Sequence, residues 1–151
     1  MLATSTYPLL VVEDNDEDFE LLQWALKKLS ISTPVYRCVD GDEALDYLYH
    51  RGAYAEREKS PRPAIILLDL KLTAMDGQEV LQQVKQDEEL KIIPIIIWTT
   101  SSDPRDIEIC FRQGASSYIL KPMTLQNLLK AIELLNHYWF GVVQLPPSGE
   151  E

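Results

Sequence analysis

A chain of 151 residues, 46% hydrophobic and 25% charged, has room and apolar material for one folded domain with a short tail. Its 24 acids against 14 bases leave a net charge of −10, the wrong sign for gripping a phosphate backbone, so no nucleic-acid partner is expected. No run approaches the roughly 18 apolar residues a membrane span needs, and the longest, Ile92 to Trp98, is broken by Pro94. Met1 to Tyr7 lacks a basic start followed by an apolar region, so a secretory leader is not expected either. Cys38 and Cys110 fall in apolar-periodic segments, as buried thiols of a reducing, cytoplasmic compartment do; the alternative is a disulfide between them.

Apolar runs of strand length alternate with segments of helical periodicity. Leu9 to Val12 is a strand ending in the acidic burst Glu13-Asp14-Asn15-Asp16. Phe19, Leu22, Leu26 and Leu29 recur at steps of three and four and mark one face of a helix. Val35 to Val39 reads as the second strand, and a helix with Ala44, Leu45 and Leu48 inward starts at Gly41. The polar stretch His50 to Pro63 reads as an extension of that helix followed by a loop. Ala64 to Leu68 is the third strand; Val80, Leu81 and Val84 mark the third helix; Ile95 to Trp98 is the fourth strand. Asp103-Pro104 combines a capping acid with proline at the first helical position, and Ile107, Cys110 and Phe111 follow on that helix. Ser117 to Leu120 is the fifth strand, and Leu125, Leu128, Leu129, Ile132 and Leu135 stripe the fifth helix. Residues 1–143 form the expected domain and 144–151, with Pro146-Pro147, its tail.

Five strand–helix units imply an α/β fold, a doubly wound five-stranded parallel sheet with helices on both faces. Strands covered on both sides explain runs that are continuously apolar and not alternating. In such sheets ligands bind outside the carboxyl ends of the strands. There stand Glu13 and Asp14, Asp69, Thr99, and Lys121. Hard oxygen donors in that number suit Mg2+, and without a cation the acids repel one another and one carboxyl pKa rises. With its charge offset, Asp69 stays ionised and is suited to attack phosphorus, while Lys121 and Thr99 face the phosphoryl oxygens. The acid pair after the first strand also suits a helix cap, with Asp16 as a candidate for that role.

The segments Leu10-Val11-Val12-Glu13-Asp14-Asn15, Leu67-Leu68-Asp69-Leu70, Met75-Asp76-Gly77, Pro94 to Thr100, and Gly114-Ala115 to Lys121-Pro122 resemble the receiver domain of two-component response regulators over nearly the whole chain. The resemblance implies the flavodoxin-like receiver fold and a phosphoprotein loaded by a partner histidine kinase, not an enzyme. By position, Asp69 is the phosphoacceptor, Asp14 and Asp69 ligate Mg2+, Glu13 reaches it through water, and the main-chain carbonyl of Lys71 completes the set. Thr99 and Tyr118 fall on the switch pair, and Lys121 on the phosphate-contacting lysine. The stretch His50 to Pro63 and the ending Tyr138-Trp139-Phe140 are similar to those of small regulators that partner cyanobacterial phytochromes. Relay of the signal is then expected through protein contact or further phosphotransfer.

Two positions depart from the family. Thr73 stands where many receivers carry proline, which predicts a less rigid loop, and the β-branched Thr100 follows the switch threonine. A haloacid-dehalogenase-like hydrolase wants a second acid two residues after its nucleophile, where this chain has Lys71. A receiver-shaped binding module that is never phosphorylated is the third possibility, disfavoured by intact Asp14, Asp69, Thr99 and Lys121. His50 and His137 lie away from the rim and are expected on the surface; Gly77 and Gly114 fit a turn and a helix cap. Tyr138, Trp139 and Phe140 either pack the tail back on the domain or form an interface. Phe111 and the wide apolar stripe of the fifth helix predict a two-fold homodimer through that face.

Overall fold

The computed structural model describes residues 7–147, so residues 1–6 and 148–151 lie outside the described residues. Strands β1 (Leu9–Val12), β2 (Val35–Cys38), β3 (Ile65–Leu68), β4 (Ile95–Thr99) and β5 (Ser117–Leu120) alternate with five helices. These are α1 (Asp16–Lys28), α2 (Gly41–Tyr49), α3 (Gly77–Gln86), α4 (Pro104–Arg112) and α5 (Leu125–His137). Every strand pair is parallel, in the order β2-β1-β3-β4-β5. This is the doubly wound α/β fold the alternation implied.

Strand side chains alternate between the two faces and build two apolar layers. Leu10, Val12, Ile66, Leu68, Ile95 and Ile97 pack with Ala44, Leu45, Val80, Leu81 and Val84 of α2 and α3. Leu9, Val11, Ile65, Leu67, Ile96 and Trp98 face Leu22 and Ala25 of α1 and Leu128 and Ile132 of α5. Each such side chain stabilises the fold by roughly 1.5–3 kcal/mol when fully buried, so the layers hold the strand ends in fixed register. The edge strands differ from the expectation of burial on both sides. Residues of β2 and β5 are mostly half-buried, because each has a neighbour on one side only.

Local signals set the helix ends. Asn15, not Asp16, caps α1: its side chain accepts the Asp18 N–H. Asp16, Glu17 and Asp18 sit in the first turn, where the helix dipole favours acids. Asp103 caps α4 with Pro104 behind it, as expected. The expected extension of the second helix does not form. The helix stops at Tyr49 because His50 turns left-handed at φ 56°, and Arg51 N–H closes the end on the Asp46 carbonyl at 2.8 Å. A short 3-10 turn, Gly52–Tyr54, follows. The rest of this segment is pinned to α2: Tyr54 donates to Glu43 (2.9 Å), Tyr47 donates to the Pro61 carbonyl (2.8 Å), and buried Ser60 donates to the Tyr54 carbonyl (3.0 Å).

Beyond α5 a π-helical turn, Tyr138–Val142, folds Trp139, Phe140 and Leu145 onto the α1/α5 layer. The Tyr7 ring stacks on Phe140 with centroids 6.3 Å apart. Packing of the tail back on the domain is thus the outcome for Trp139 and Phe140, while Tyr138 stays exposed. Cys38 and Cys110 are free and buried, so the disulfide does not exist. Among the described residues no helix is long and apolar enough to cross a membrane.

Candidate functional site

The parallel ladder continues past the strand ends and places the rim residues. Glu13 N–H bonds the Cys38 carbonyl at 3.0 Å, Asp69 N–H the Val12 carbonyl at 3.1 Å, and Lys121 N–H the Thr99 carbonyl at 2.8 Å. Segments distant in sequence therefore emerge at one rim of the sheet. Carboxylate oxygens of Glu13, Asp14 and Asp69 can all lie within 4.8 Å of one another. Glu13 and Asp69 are almost fully buried, at 3% and 5% exposure.

Lys121 is the counter-charge. Its Nζ lies 2.7 Å from Glu13 Oε1, 2.8 Å from Asp69 Oδ2 and 2.7 Å from Asp18 Oδ2. Burial works against the lysine charge, but the hydrogen bonds to Asp18, Asp69 and Glu13 outweigh it and hold the ammonium above the ordinary lysine range. Burial pushes the Glu13 carboxyl up to about 7, with Lys121 opposing and the charge of Asp69 adding to the rise. A raised carboxyl pKa was expected of the crowded acids; desolvation, more than mutual repulsion, is its main cause.

The rest of the rim is braced by Arg37, which the sequence did not single out, and by Thr73, Lys71 and Gly77, which it did. Arg37 of β2 donates from Nε to the Glu13 carbonyl at 3.0 Å, pairs with Asp16 at 2.8 Å and lies over the Phe19 ring. Thr73, at the family's proline position, donates its hydroxyl to Asp14 Oδ2 at 3.0 Å, so the loop gains a side-chain tie where it lacks the ring. Lys71 N–H bonds Asp69 Oδ1 at 3.1 Å, bringing the main chain of Lys71 to the acids while its side chain is exposed. Gly77 must be glycine: a Cβ there collides with the Asp69 carbonyl oxygen and sits 2.7 Å from Leu70 Cα.

Thr99 is fully buried, and its hydroxyl oxygen accepts the Ser101 N–H at 3.4 Å. Ser101 in turn donates its hydroxyl to Asp106 of α4 at 2.6 Å, and Asp106 accepts Gln78 of α3 at 3.1 Å. Tyr118 donates to the Ser101 carbonyl. Thr99 and Tyr118 thus meet through Ser101. His50 ends α2 and His137 ends α5, both away from the rim.

Of the missed residues, Asp18 is one of three acids in the first turn of α1, where the helix dipole accounts for it and nothing nearby in sequence points to its partner. Arg37 is the one cation inside an otherwise uncharged strand segment, VYRC.

The response regulator receiver domain family matches residues 9–133. The chain belongs to that family. Response regulator Rcp1 of Synechocystis sp. is 37% identical over 140 residues, covering 93% of each chain. The crystal structure of the Mn2+-bound form of Rcp1 superposes with a TM-score of 0.84 at 36% identity, over 93% of this chain and 99% of that one. The phosphorylated cyanobacterial phytochrome response regulator RcpA gives 0.87 at 35% identity, over 95% and 100% of the two chains. The bacteriophytochrome response regulator RtBRR gives 0.75 at 38% identity, over 95% and 86%. The protein is a receiver, a phosphoacceptor signalling protein and not a hydrolase. Its oxygen-only donor set of three acids suits a hard divalent cation.

Proposed function

We propose that Asp69 accepts a phosphoryl group from a histidine kinase of the phytochrome type. The observation that carries this is the Lys121 ammonium 2.8 Å from Asp69, beside two further carboxylates. An oxygen of Asp69 forms the bond to phosphorus as the phosphorus–nitrogen bond of the kinase phosphohistidine breaks, and the imidazole leaves with the electron pair and takes up a proton. Lys121 donates to a phosphoryl oxygen and offsets the charge that Asp69 receives. Thr99 donates to another. Asp14 and Asp69, Glu13 through water, and the Lys71 carbonyl would hold Mg2+, which when bound there would supply positive charge against the transferring phosphoryl group.

Thr99 and Tyr118 are the switch pair: the Thr99 hydroxyl turns to the phosphate and Tyr118 follows through their shared neighbour Ser101. Support for a phytochrome kinase comes from Rcp1, RcpA and RtBRR, each at 35–38% identity across most of its length. Residues 1–143 are the receiver domain and 144–151 its tail, an extension beyond the family match supported by the packing of Trp139 and Phe140. The free, buried thiols agree with a cytoplasmic protein. Phe111 of α4, Leu134 of α5 and Tyr138 just beyond it are each about half exposed, while Leu128 and Ile132 fill the core. That surplus favours a homodimer through α4, β5 and α5. Sedimentation with and without beryllofluoride checks it; a monomer at high concentration in both states rejects it.

The test of the main reading is phosphoryl labelling in Mg2+ by acetyl phosphate and by a panel of phytochrome kinases. Wild type is labelled once per chain, Asp69→Asn not at all. Stable label on Asp69→Asn at the wild-type rate removes the assignment. Failure of every phytochrome kinase, with labelling by another kinase intact, removes only the partner.

A further inference from the structure

Lys121 is held by more than the two acids its role requires. An ammonium has three protons, and the three carboxylates of Glu13, Asp69 and Asp18 stand at 2.7–2.8 Å from Nζ. Glu13 and Asp69 belong to the group of acids that can converge on a cation; Asp18 does not. It comes from a different element, the first turn of α1, where Asn15 fixes its main chain. The Lys121 side chain is 11% exposed and that of Asp18 35%, so the pair is only partly screened by water.

We propose that Asp18 is a positioning residue for Lys121, holding the ammonium toward α1 so that Glu13 and Asp69 stay open to a cation and Lys121 stays aimed at the phosphoryl group. This rests on the phosphoacceptor reading of Asp69. Lys121 competes with any cation for the carboxylates of Glu13 and Asp69. Shared with Asp18, it binds them less tightly. Once those two acids are engaged elsewhere, Asp18 is the remaining anion that keeps Lys121 from swinging into solvent. The same contact thus serves two stages. Before loading it weakens the competition of Lys121 with the cation; during loading it limits the motion of the donor.

The test is a double-mutant cycle of Asp18→Asn with Lys121→Ala, which reports whether the two side chains act as one unit. The first readout is Mg2+ affinity from the fluorescence of Trp98, which lies one residue before Thr99 on β4. The second is the rate of labelling by acetyl phosphate at saturating Mg2+. With Lys121 present, Asp18→Asn is expected to weaken Mg2+ binding about threefold and slow labelling about tenfold, as loss of a charge-assisted contact does. With Lys121→Ala in the background, both effects are expected to vanish. Equal losses in the two backgrounds mean that Asp18 acts through its own charge on the site and overturn the proposal. So does unchanged behaviour of Asp18→Asn when Lys121 is intact. Absence of labelling in the wild-type protein, or full labelling of Asp69→Asn, instead strikes the parent reading.

Discussion

The phenolic hydroxyl of Tyr118 donates to the main-chain carbonyl of Ser101 at 2.7 Å. This bond spans 17 residues and joins the edge strand β5 to the loop after β4, the loop whose first hydrogen bond is to Thr99. Tyr118→Phe keeps the ring and leaves the carbonyl without that donor. Stability is expected to fall by about 1 kcal/mol, or about 2–4 °C in Tm for a chain of this size. Labelling of Asp69 is expected to continue, since no atom at the acids is touched. Calorimetry and a labelling assay on one preparation read both.

Lys71 bears on the lifetime of the phosphoryl group. Its amide is bonded to Asp69 Oδ1 and its side chain is free to reach a group mounted on that carboxylate. A cation there holds a phosphoryl oxygen and hinders the attacking water. Lys71→Ala keeps the amide and is expected to lose label several-fold faster, a change of about 1 kcal/mol in the barrier. Loss of label that is equal or slower in the variant refutes the role.

Gly77→Ala tests the close approach of α3 to β3. The added methyl meets the Asp69 carbonyl and Leu70 Cα, main-chain atoms that cannot rotate away. Destabilisation of about 3 kcal/mol or more is expected. Urea unfolding measures it, and a normal midpoint excludes the clash.

The two thiols give a pH signature. Burial is the leading cause that raises Cys38 to about 12 and Cys110 to about 11, with nearby acids adding to both. The folded state therefore favours the neutral thiols. Their contribution to stability is fully present below the ordinary cysteine pKa of about 8.5, and is lost as pH rises from there toward the folded values. Neither cysteine is expected to react with iodoacetamide at pH 8 in the folded protein, and both react in denaturant. Mass spectrometry counts the adducts.

The sheet is legible in the sequence because its strands are short, apolar and separated by helical periods, a pattern that central parallel strands leave. Glu13, Asp14, Asp69, Thr99 and Lys121 are legible as rim residues because topology sends the carboxyl ends of strands to one edge. Asp18 is not, because its partner lies 103 residues away and a contact of that span leaves no local trace. The end of α2 is hidden for another reason. His50 is left-handed without being glycine or asparagine, the residues that announce such a turn. The fate of Trp139 and Phe140 depended on whether the chain beyond α5 turned inward, which a π-helical turn decides and composition does not.

The alternation that makes the strands apolar on both sides also divides labour. Counting by twos, Glu13 falls in line with Leu9 and Val11, Asp69 with Ile65 and Leu67, and Lys121 with Ile119, all on the α1/α5 side. Thr99 falls in line with Ile95 and Ile97, and Tyr118 packs there too, on the side of α2 and α3. The sheet is a bulkhead between the buried charges Glu13, Asp69 and Lys121 and the pair Thr99 and Tyr118, and Thr99 stands at its upper edge. News of a group mounted on Asp69 has to travel over the rim, not through the wall.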